Sequence, residues 1–359
     1  MAYSSSLAPG AASRSGGAPP AQILIVDDSL VARSVLGRMI EGTRRFQVAA
    51  ALSDVRGALE YLQSHRVDII LLDINMPGID GLTALPDVIQ AGRGAKVLIV
   101  SSSADEGAAV TVQALALGAA DTLVKPGIGA FGGRFAAVLE ERLTRLLDAP
   151  GDHGAHAATS FGPVPTPQEF DIVAIGASTG GIHALGQLLR AIPASFRVPI
   201  LVTQHLPISF MGYFAAQLAV LGGRPCDVAV DRMRVRSGRI IVAPGDAHMR
   251  VARMADGVAI RLTGERSDTG CMPSVDPMFE TVAEVFGARA LGVILSGMGR
   301  DGSDGARKLS ECGARVFVQD RETSVVWGMP GAVAKAGRAT AVLPPDEIGL
   351  LIARGGRTA

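Results

Sequence analysis

The chain has 359 residues, 48% of them hydrophobic, and its 34 basic and 34 acidic side chains give a formal net charge of +0. That balance offers no broad cationic face to nucleic acid or to an anionic membrane, and charged residues or glycine break every apolar stretch before membrane-spanning length. Three scattered cysteines, Cys226, Cys271 and Cys312, make no disulfide framework and suit a reducing cytosol, so the expectation is a cytoplasmic protein of two domains.

In chain order, residues 1–20 are rich in Ser, Ala, Gly and Pro. They read as a disordered tail, without the basic start and apolar run of a signal peptide. Residues 21–147 alternate apolar runs (Ile23–Val26, Gln47–Leu52, Ile69–Leu72, Val97–Val100 and Thr122–Val124) with helical patterns at Val31–Ile40, Val55–Ser64, Ala108–Leu117 and Phe135–Leu147. Strands separated by single helices predict a parallel sheet covered on both faces, here a flavodoxin-like (βα)5 unit. Residues 148–169, with Pro150, Pro163, Pro165 and Pro167, lack periodicity and predict a semi-extended linker. His153 and His156 within it have no Cys or carboxylate cluster nearby and read as solvated side chains. From 170 to 355 the α/β pattern resumes, with strands at Ile172–Ile175, Ile200–Thr203, Ile240–Ala243, Leu291–Leu295 and Val316–Val318. Helical patterns fall at Ile182–Ala191, Gly212–Val220, Pro277–Phe286, Gly305–Cys312 and Gly331–Ala336, while 227–263 alternates like antiparallel hairpins. The expectation is a second doubly wound, mostly parallel α/β domain with an antiparallel hairpin portion.

Asp27 and Asp28 close the first strand and Asp73 the third. Carboxyl ends of parallel strands converge, so three carboxylates meet at one edge, and oxygen ligands of that kind suit Mg²⁺. One carboxylate can then attack phosphorus while a metal and a lysine balance the charge. Lys125 ends the fifth strand; Ser101 ends the fourth and is placed to hydrogen-bond a new phosphoryl oxygen. The segment Leu72-Asp73-Ile74-Asn75-Met76-Pro77-Gly78-Ile79-Asp80-Gly81, with Asp27, Asp28, Ser101 and Lys125, resembles the phosphoacceptor region of bacterial response-regulator receiver domains over 22–147. The resemblance implies Asp73 as phosphoacceptor and Asp27, Asp28, Asp73 and the Asn75 carbonyl as Mg²⁺ ligands.

Gly176-Ala177-Ser178-Thr179-Gly180 fits Gly-x-Ser-x-Gly, a tight strand-to-helix turn that lifts a serine hydroxyl above a sheet. A Gly-rich turn of this kind also cradles phosphate in dinucleotide-binding folds. His205 follows the strand 200–204, and Asp301 lies in the loop after 291–295, so all three sit at carboxyl ends. Together they supply a nucleophile, a base and an orienting carboxylate. Their chain order, Ser-His-Asp, differs from the Ser-Asp-His order of α/β-hydrolases.

The segments Ile175–Gly181, Gln204-His205-Leu206-Pro207, Val242-Ala243-Pro244-Gly245, Pro273-Ser274-Val275-Asp276, Leu295–Gly302 and Trp327-Gly328-Met329-Pro330 resemble the catalytic domain of chemotaxis protein-glutamate methylesterases, the CheB family. With the receiver they cover nearly the whole chain in the family's domain order. The resemblance implies Ser178 as nucleophile, His205 as base, Asp301 as its orienter, and backbone N–H groups of Met298 and the Thr179 region as oxyanion donors. One departure is Gly270-Cys271-Met272, where the family more often carries basic residues.

The family's substrates are glutamate γ-methyl esters on methyl-accepting chemoreceptors; some members also deamidate glutamine. Its phosphodonor is a chemotaxis-type histidine kinase, and Mg²⁺ serves the receiver, not the ester hydrolysis. A receiver ahead of the hydrolase is expected to cover the catalytic face until phosphorylated. Two other outputs compete. A DNA-binding response regulator would need a basic helix-turn-helix after the linker, and a nucleotide-binding module leaves His205 and Asp301 unexplained. His183 and His248 suit structural or substrate-side roles, Asp246 a turn, and Arg300 a solvent- or substrate-facing charge. The expected enzyme uses no nucleic acid and inserts no segment into a membrane.

Overall fold

The computed structural model describes residues 19–101, 107–125, 133–147 and 169–355. The expected tail (1–20) and linker (148–169) lie almost wholly outside the described residues, as do His153 and His156.

The first unit runs β1 (Ala21–Val26), α1 (Leu30–Glu41), β2 (Phe46–Leu52), α2 (Val55–Ser64), β3 (Ile69–Leu72), α3 (Gly81–Gly92), β4 (Lys96–Ser101), α4 (Gly107–Leu117), β5 (Asp121–Val124) and α5 (Gly133–Leu147). Its five strands lie in the order β2-β1-β3-β4-β5, and every pair is parallel. β1 and β3 end in unbroken apolar runs because helices bury both of their faces. Ser29, Asp54 and Asp80 start α1, α2 and α3 by accepting the N–H groups of Ala32, Gly57 and Thr83. The helical patterns named from the sequence do not include 81–92, where α3 carries Pro86 inside it. The Asp80 cap and the buried Leu85 and Val88 hold α3 together despite it.

The second unit runs β6 (Ile172–Ala177), α6 (Gly181–Arg190), β7 (Ile200–Gln204), α7 (Ile208–Gly222), β8 (Cys226–Val228), β9 (Ile240–Val242), β10 (His248–Met254), β11 (Gly257–Thr263) and α8 (Val275–Phe286). It continues through β12 (Ala290–Ile294), α9 (Ser303–Glu311), β13 (Arg315–Gln319), α10 (Gly328–Lys335), β14 (Ala341–Leu343) and α11 (Pro345–Gly355). Seven parallel strands lie in the order β14-β13-β12-β6-β7-β9-β8, and β10-β11 form a separate antiparallel hairpin. The antiparallel expectation for 227–263 therefore narrows to 248–263. β8 pairs parallel to β9, because the connection over 229–239 carries the chain back to the starting end, which a tight hairpin turn does not do. β14 and α11 close the fold beyond the last helix that the periodicity indicates.

Strand order reverses at β6. The chain leaves β6 for β7 on one side and later returns to β12 on the other. Ligands of open α/β sheets bind in the crevice at such a point, outside the strands' carboxyl ends.

The two units meet through α4, whose sequence GAAVTVQALAL is apolar nearly all round. A helix of that composition is stable only when covered on several sides. α4 packs on its own sheet and on α6 and α7 of the second unit, and one apolar core runs through Val112 and Leu115 to Leu185 and Leu218. His183 of α6 donates its Nδ1–H to the Ala116 carbonyl at 3.1 Å. Gln187 fixes that tautomer by donating to His183 Nε2 at 3.0 Å.

Candidate active site and acidic pocket

β6 ends at Ala177, and Ser178 begins the turn into α6. The Ser178 N–H donates to the Ser296 carbonyl at 3.0 Å, tying the turn to the loop after β12. Gly180 supplies the turn's left-handed residue, at φ +77°. A Cβ there would stand 2.5 Å from Val325 and 2.8 Å from Ser296 Oγ, so both its backbone and its space demand glycine.

His205 follows β7. Its Nδ1 lies 3.1 Å from Ser178 Oγ and its Nε2 2.7 Å from Asp301 Oδ2. In the neutral ring, Nε2–H donates to the carboxylate and Nδ1 is left to accept the serine proton. Gln204 steadies the serine from the same strand end, donating to the Ser178 carbonyl at 2.8 Å.

Asp301 is 1% exposed, and both of its oxygens are held. Oδ1 accepts from Ser274 Oγ at 2.6 Å and Thr269 Oγ1 at 3.3 Å; Oδ2 accepts from the Val275 N–H at 2.8 Å as well as from His205. Behind them, the buried His248 accepts the Ser274 N–H on Nδ1 at 2.9 Å and donates from Nε2 to the Glu265 carbonyl at 2.7 Å. A continuous relay thus runs His248–Ser274–Asp301–His205–Ser178. Ser274 stands within a segment the sequence singles out, though nothing local marks its role; Thr269 carries no sequence signal for its own, and His248, expected in a structural or substrate-side role, supports Ser274.

Burial pushes the His205 imidazole down, but the hydrogen bond to Asp301 and the nearby Cys271 sulfur outweigh it and lift the pKa to about 9. Burial alone would raise Asp301, yet bonds from His205, Ser274 and Val275 hold it ionised below the usual carboxylate range. Burial pushes the neighbouring Asp276 up, and its Oδ1 accepts the Gly305 N–H at 2.7 Å.

Thr179 and Met298 line, with Ser178, a cavity of about 540 Å³. Among the described residues neither backbone N–H has an acceptor. The cavity's other wall comes from the first unit: Leu115 of α4, Asp121–Val124 of β5 and Arg142 of α5. Arg142 is paired with Asp121. Arg300 is exposed and reaches Asp304 at 3.8 Å, and Asp246 occupies a turn after β9.

At the carboxyl end of the first sheet, carboxylate oxygens of Asp27, Asp28 and Asp73 lie within 4.8 Å of one another. Lys125 Nζ reaches Asp27 Oδ2 at 2.6 Å and Asp73 Oδ2 at 2.7 Å. Burial raises the Asp73 pKa and the Lys125 ammonium opposes it. Asn75 donates its N–H to Asp73 Oδ1 at 3.3 Å. Ser101 is buried at the end of β4, where its carbonyl accepts the Lys125 N–H at 2.7 Å. Three carboxylates facing one ammonium leave negative charge uncompensated, and that donor set fits a hard divalent cation.

Two family descriptions match the chain: CheB methylesterase over residues 173–352 and response regulator receiver domain over residues 23–129. The chain belongs to the CheB methylesterase family. A Caulobacter vibrioides relative, protein-glutamate methylesterase/protein-glutamine glutaminase 2, is 40% identical over 94% of this chain and 99% of its own length. A Paramagnetospirillum magneticum relative, protein-glutamate methylesterase/protein-glutamine glutaminase 1, is 38% identical over 91% of this chain and 94% of its own. The Thermotoga maritima CheB methylesterase catalytic domain superimposes with a TM-score of 0.50 at 36% identity, covering 51% of this chain and 98% of that one. The catalytic-domain match covers the region where a DNA- or nucleotide-binding output would otherwise have to lie.

Proposed function

We propose that the chain is a phosphorylation-controlled protein-glutamate methylesterase, with receiver domain 21–147, linker 148–169 and catalytic domain 170–355. The observation that carries this is the Ser178–His205–Asp301 relay at the strand-order reversal, under a cavity walled on its far side by the receiver's α4, β5 and α5.

Ser178 Oγ attacks the carbonyl of a glutamate γ-methyl ester while His205 Nδ1 takes its proton. The N–H groups of Thr179 and Met298 stabilise the oxyanion, and Asp301 stabilises the imidazolium. Methanol leaves with a proton from His205, and water then hydrolyses the glutamyl ester on Ser178. The same steps with ammonia leaving would deamidate glutamine, as the relatives' names include. The substrates are methyl-accepting chemoreceptors, reached from the cytoplasm; among the described residues no helix is long and apolar enough to cross a membrane.

In the receiver, Asp73 accepts the phosphoryl group from a chemotaxis-type histidine kinase, and Lys125 and Ser101 respond to it. Asp27, Asp28, Asp73 and the Asn75 carbonyl would hold Mg²⁺, which neutralises charge on the transferred group when bound. Added charge at Asp73 then loosens the α4–β5–α5 face from the catalytic cavity.

The test is methanol release from methyl-esterified receptor signalling domains, with and without a small-molecule phosphodonor plus Mg²⁺. Ser178→Ala should lower the rate by about 10⁴–10⁶-fold. Phosphodonor should raise the wild-type rate but not that of Asp73→Asn. Serine-independent release would reject the nucleophile, and equal stimulation of Asp73→Asn would reject the switch.

A further inference from the structure

Cys271 stands beside the catalytic trio without a part in the chemistry above. Its Sγ, a ring nitrogen of His205 and a carboxylate oxygen of Asp301 lie within 4.8 Å of one another. Cys271 and His205 are both only partly buried, at the wall of the cavity over Ser178. We infer that Cys271, His205 and Asp301 form an inhibitory site for a thiophilic divalent cation, Zn²⁺ above all.

One thiolate, one imidazole and one carboxylate, with a fourth position open to a cavity, is a donor set and number that Zn²⁺ accepts. Sulfur at the same time disfavours Mg²⁺, which selects oxygen. The carboxylate is already oriented, since Ser274 Oγ and the Val275 N–H hold it at 2.6 and 2.8 Å. Outer hydrogen bonds of this kind aim ligating carboxylates in metal sites. The cation would replace the hydrogen bond that joins His205 Nε2 to Asp301 Oδ2 at 2.7 Å. Bonds of about 2.0–2.3 Å set such donors roughly 3.5 Å apart. The ring and carboxylate therefore part slightly, and Cys271, on the loop between β11 and α8, draws in.

The consequence for catalysis follows from proton positions. With Nε2 bound to the cation, the ring keeps one proton, on Nδ1, directed at Ser178 Oγ 3.1 Å away. That nitrogen then has no lone pair for the serine proton. The thiol proton leaves to solvent. Two cations would thus act in opposite senses at separate sites: Mg²⁺ among the receiver's oxygens in support of activation, and Zn²⁺ on the sulfur-containing set in arrest. The inhibitory effect rests on the roles assigned to Ser178 and His205; cation binding itself does not.

The experiment uses the full-length protein. Co²⁺ is titrated into wild type, Ser178→Ala, Cys271→Ser, Cys271→Ala and Cys312→Ser, and the near-ultraviolet thiolate-to-cobalt charge-transfer band is followed. In parallel, Zn²⁺ inhibition of methanol release is measured with Mg²⁺ in excess, each rate taken relative to the same variant's zinc-free rate. The expected result is one band per chain that Zn²⁺ displaces, kept in Ser178→Ala and Cys312→Ser and lost in both Cys271 variants. The half-inhibiting Zn²⁺ concentration should rise by about 10–100-fold or more in those two variants. No thiolate band, a band unchanged without Cys271, or an unchanged inhibition midpoint would each overturn the site. If no variant releases methanol, the esterase reading fails on its own, and the cobalt spectrum still decides the cation site.

Discussion

Ser274 ties the catalytic carboxylate to the body of the fold, because its hydroxyl donates to Asp301 at 2.6 Å while its backbone N–H is held by His248. A hydrogen bond to a charged group contributes about 1.5–3 kcal/mol. Ser274→Ala should therefore lower kcat by roughly 10–100-fold while KM for the methyl ester changes little. A change confined to KM would instead place Ser274 on the substrate side. At the next residue in the relay, His205 must be neutral to accept the serine proton, and Asp301 and Cys271 lift its pKa to about 9 against the effect of burial. In unphosphorylated, chelator-treated protein, kcat/KM should climb about tenfold per pH unit toward 9 and level above it. Cys271→Ser, which removes one of the groups holding the proton, should move the inflection to lower pH. A profile flat from pH 6 to 9 would contradict the assignment of His205 as base.

At the scale of elements, the site depends on how closely the loops after β6 and β12 approach. A Cβ on Gly297 would lie 2.8 Å from Ser178 Cβ and 2.3 Å from Met329 Sδ. Gly297→Ala should therefore push the nucleophile aside. Overpacking of this kind costs about 1–3 kcal/mol of stability, and an ångström of misplacement costs about 10²-fold in rate. Thermal unfolding and methanol release measured on the same preparation separate the two effects. Activity at the wild-type level would mean that Met329 gives way and the serine does not move. α3 runs unbroken through Pro86, held by the Asp80 cap and the buried Ala84, Leu85 and Val88.

For the whole molecule, the decisive feature is that α4 packs at once on its own sheet and on the α6–α7 surface, joining them in one apolar core. The link from His183 to the Ala116 carbonyl is one polar tie across that interface. Losing it should release about 0.5–1.5 kcal/mol, shifting a closed–open equilibrium by about 2–10-fold. His183→Ala should accordingly raise basal methanol release of the unphosphorylated enzyme by up to that factor and shrink the further gain from phosphodonor. Leu115→Asp, which places a charge in the apolar part of the interface, should act in the same direction and more strongly. If both variants keep the wild-type basal rate and are still stimulated by phosphodonor, occlusion through this face is wrong.

What the sequence determined by itself is everything carried by local pattern. The two βα alternations, the carboxyl-end placement of Asp27, Asp28 and Asp73, and that of Ser178, His205 and Asp301 follow from strand periodicity and turn chemistry. Those depend only on residues near in the chain. What only the tertiary structure decided is which distant groups meet. Strand order brings β12, and with it the Asp301 loop, beside β6, while the packing of α8 on β6 and α9 sets Ser274, Val275 and Thr269 around Asp301 and Cys271 beside His205. The apolar wrap of α4 shows in the sequence, but not that α6 and α7 supply its second partner, because burial is a property of packed surfaces and not of any one segment. The direction of the β8–β9 pair was likewise settled by where a loop returns the chain, which residue alternation does not encode.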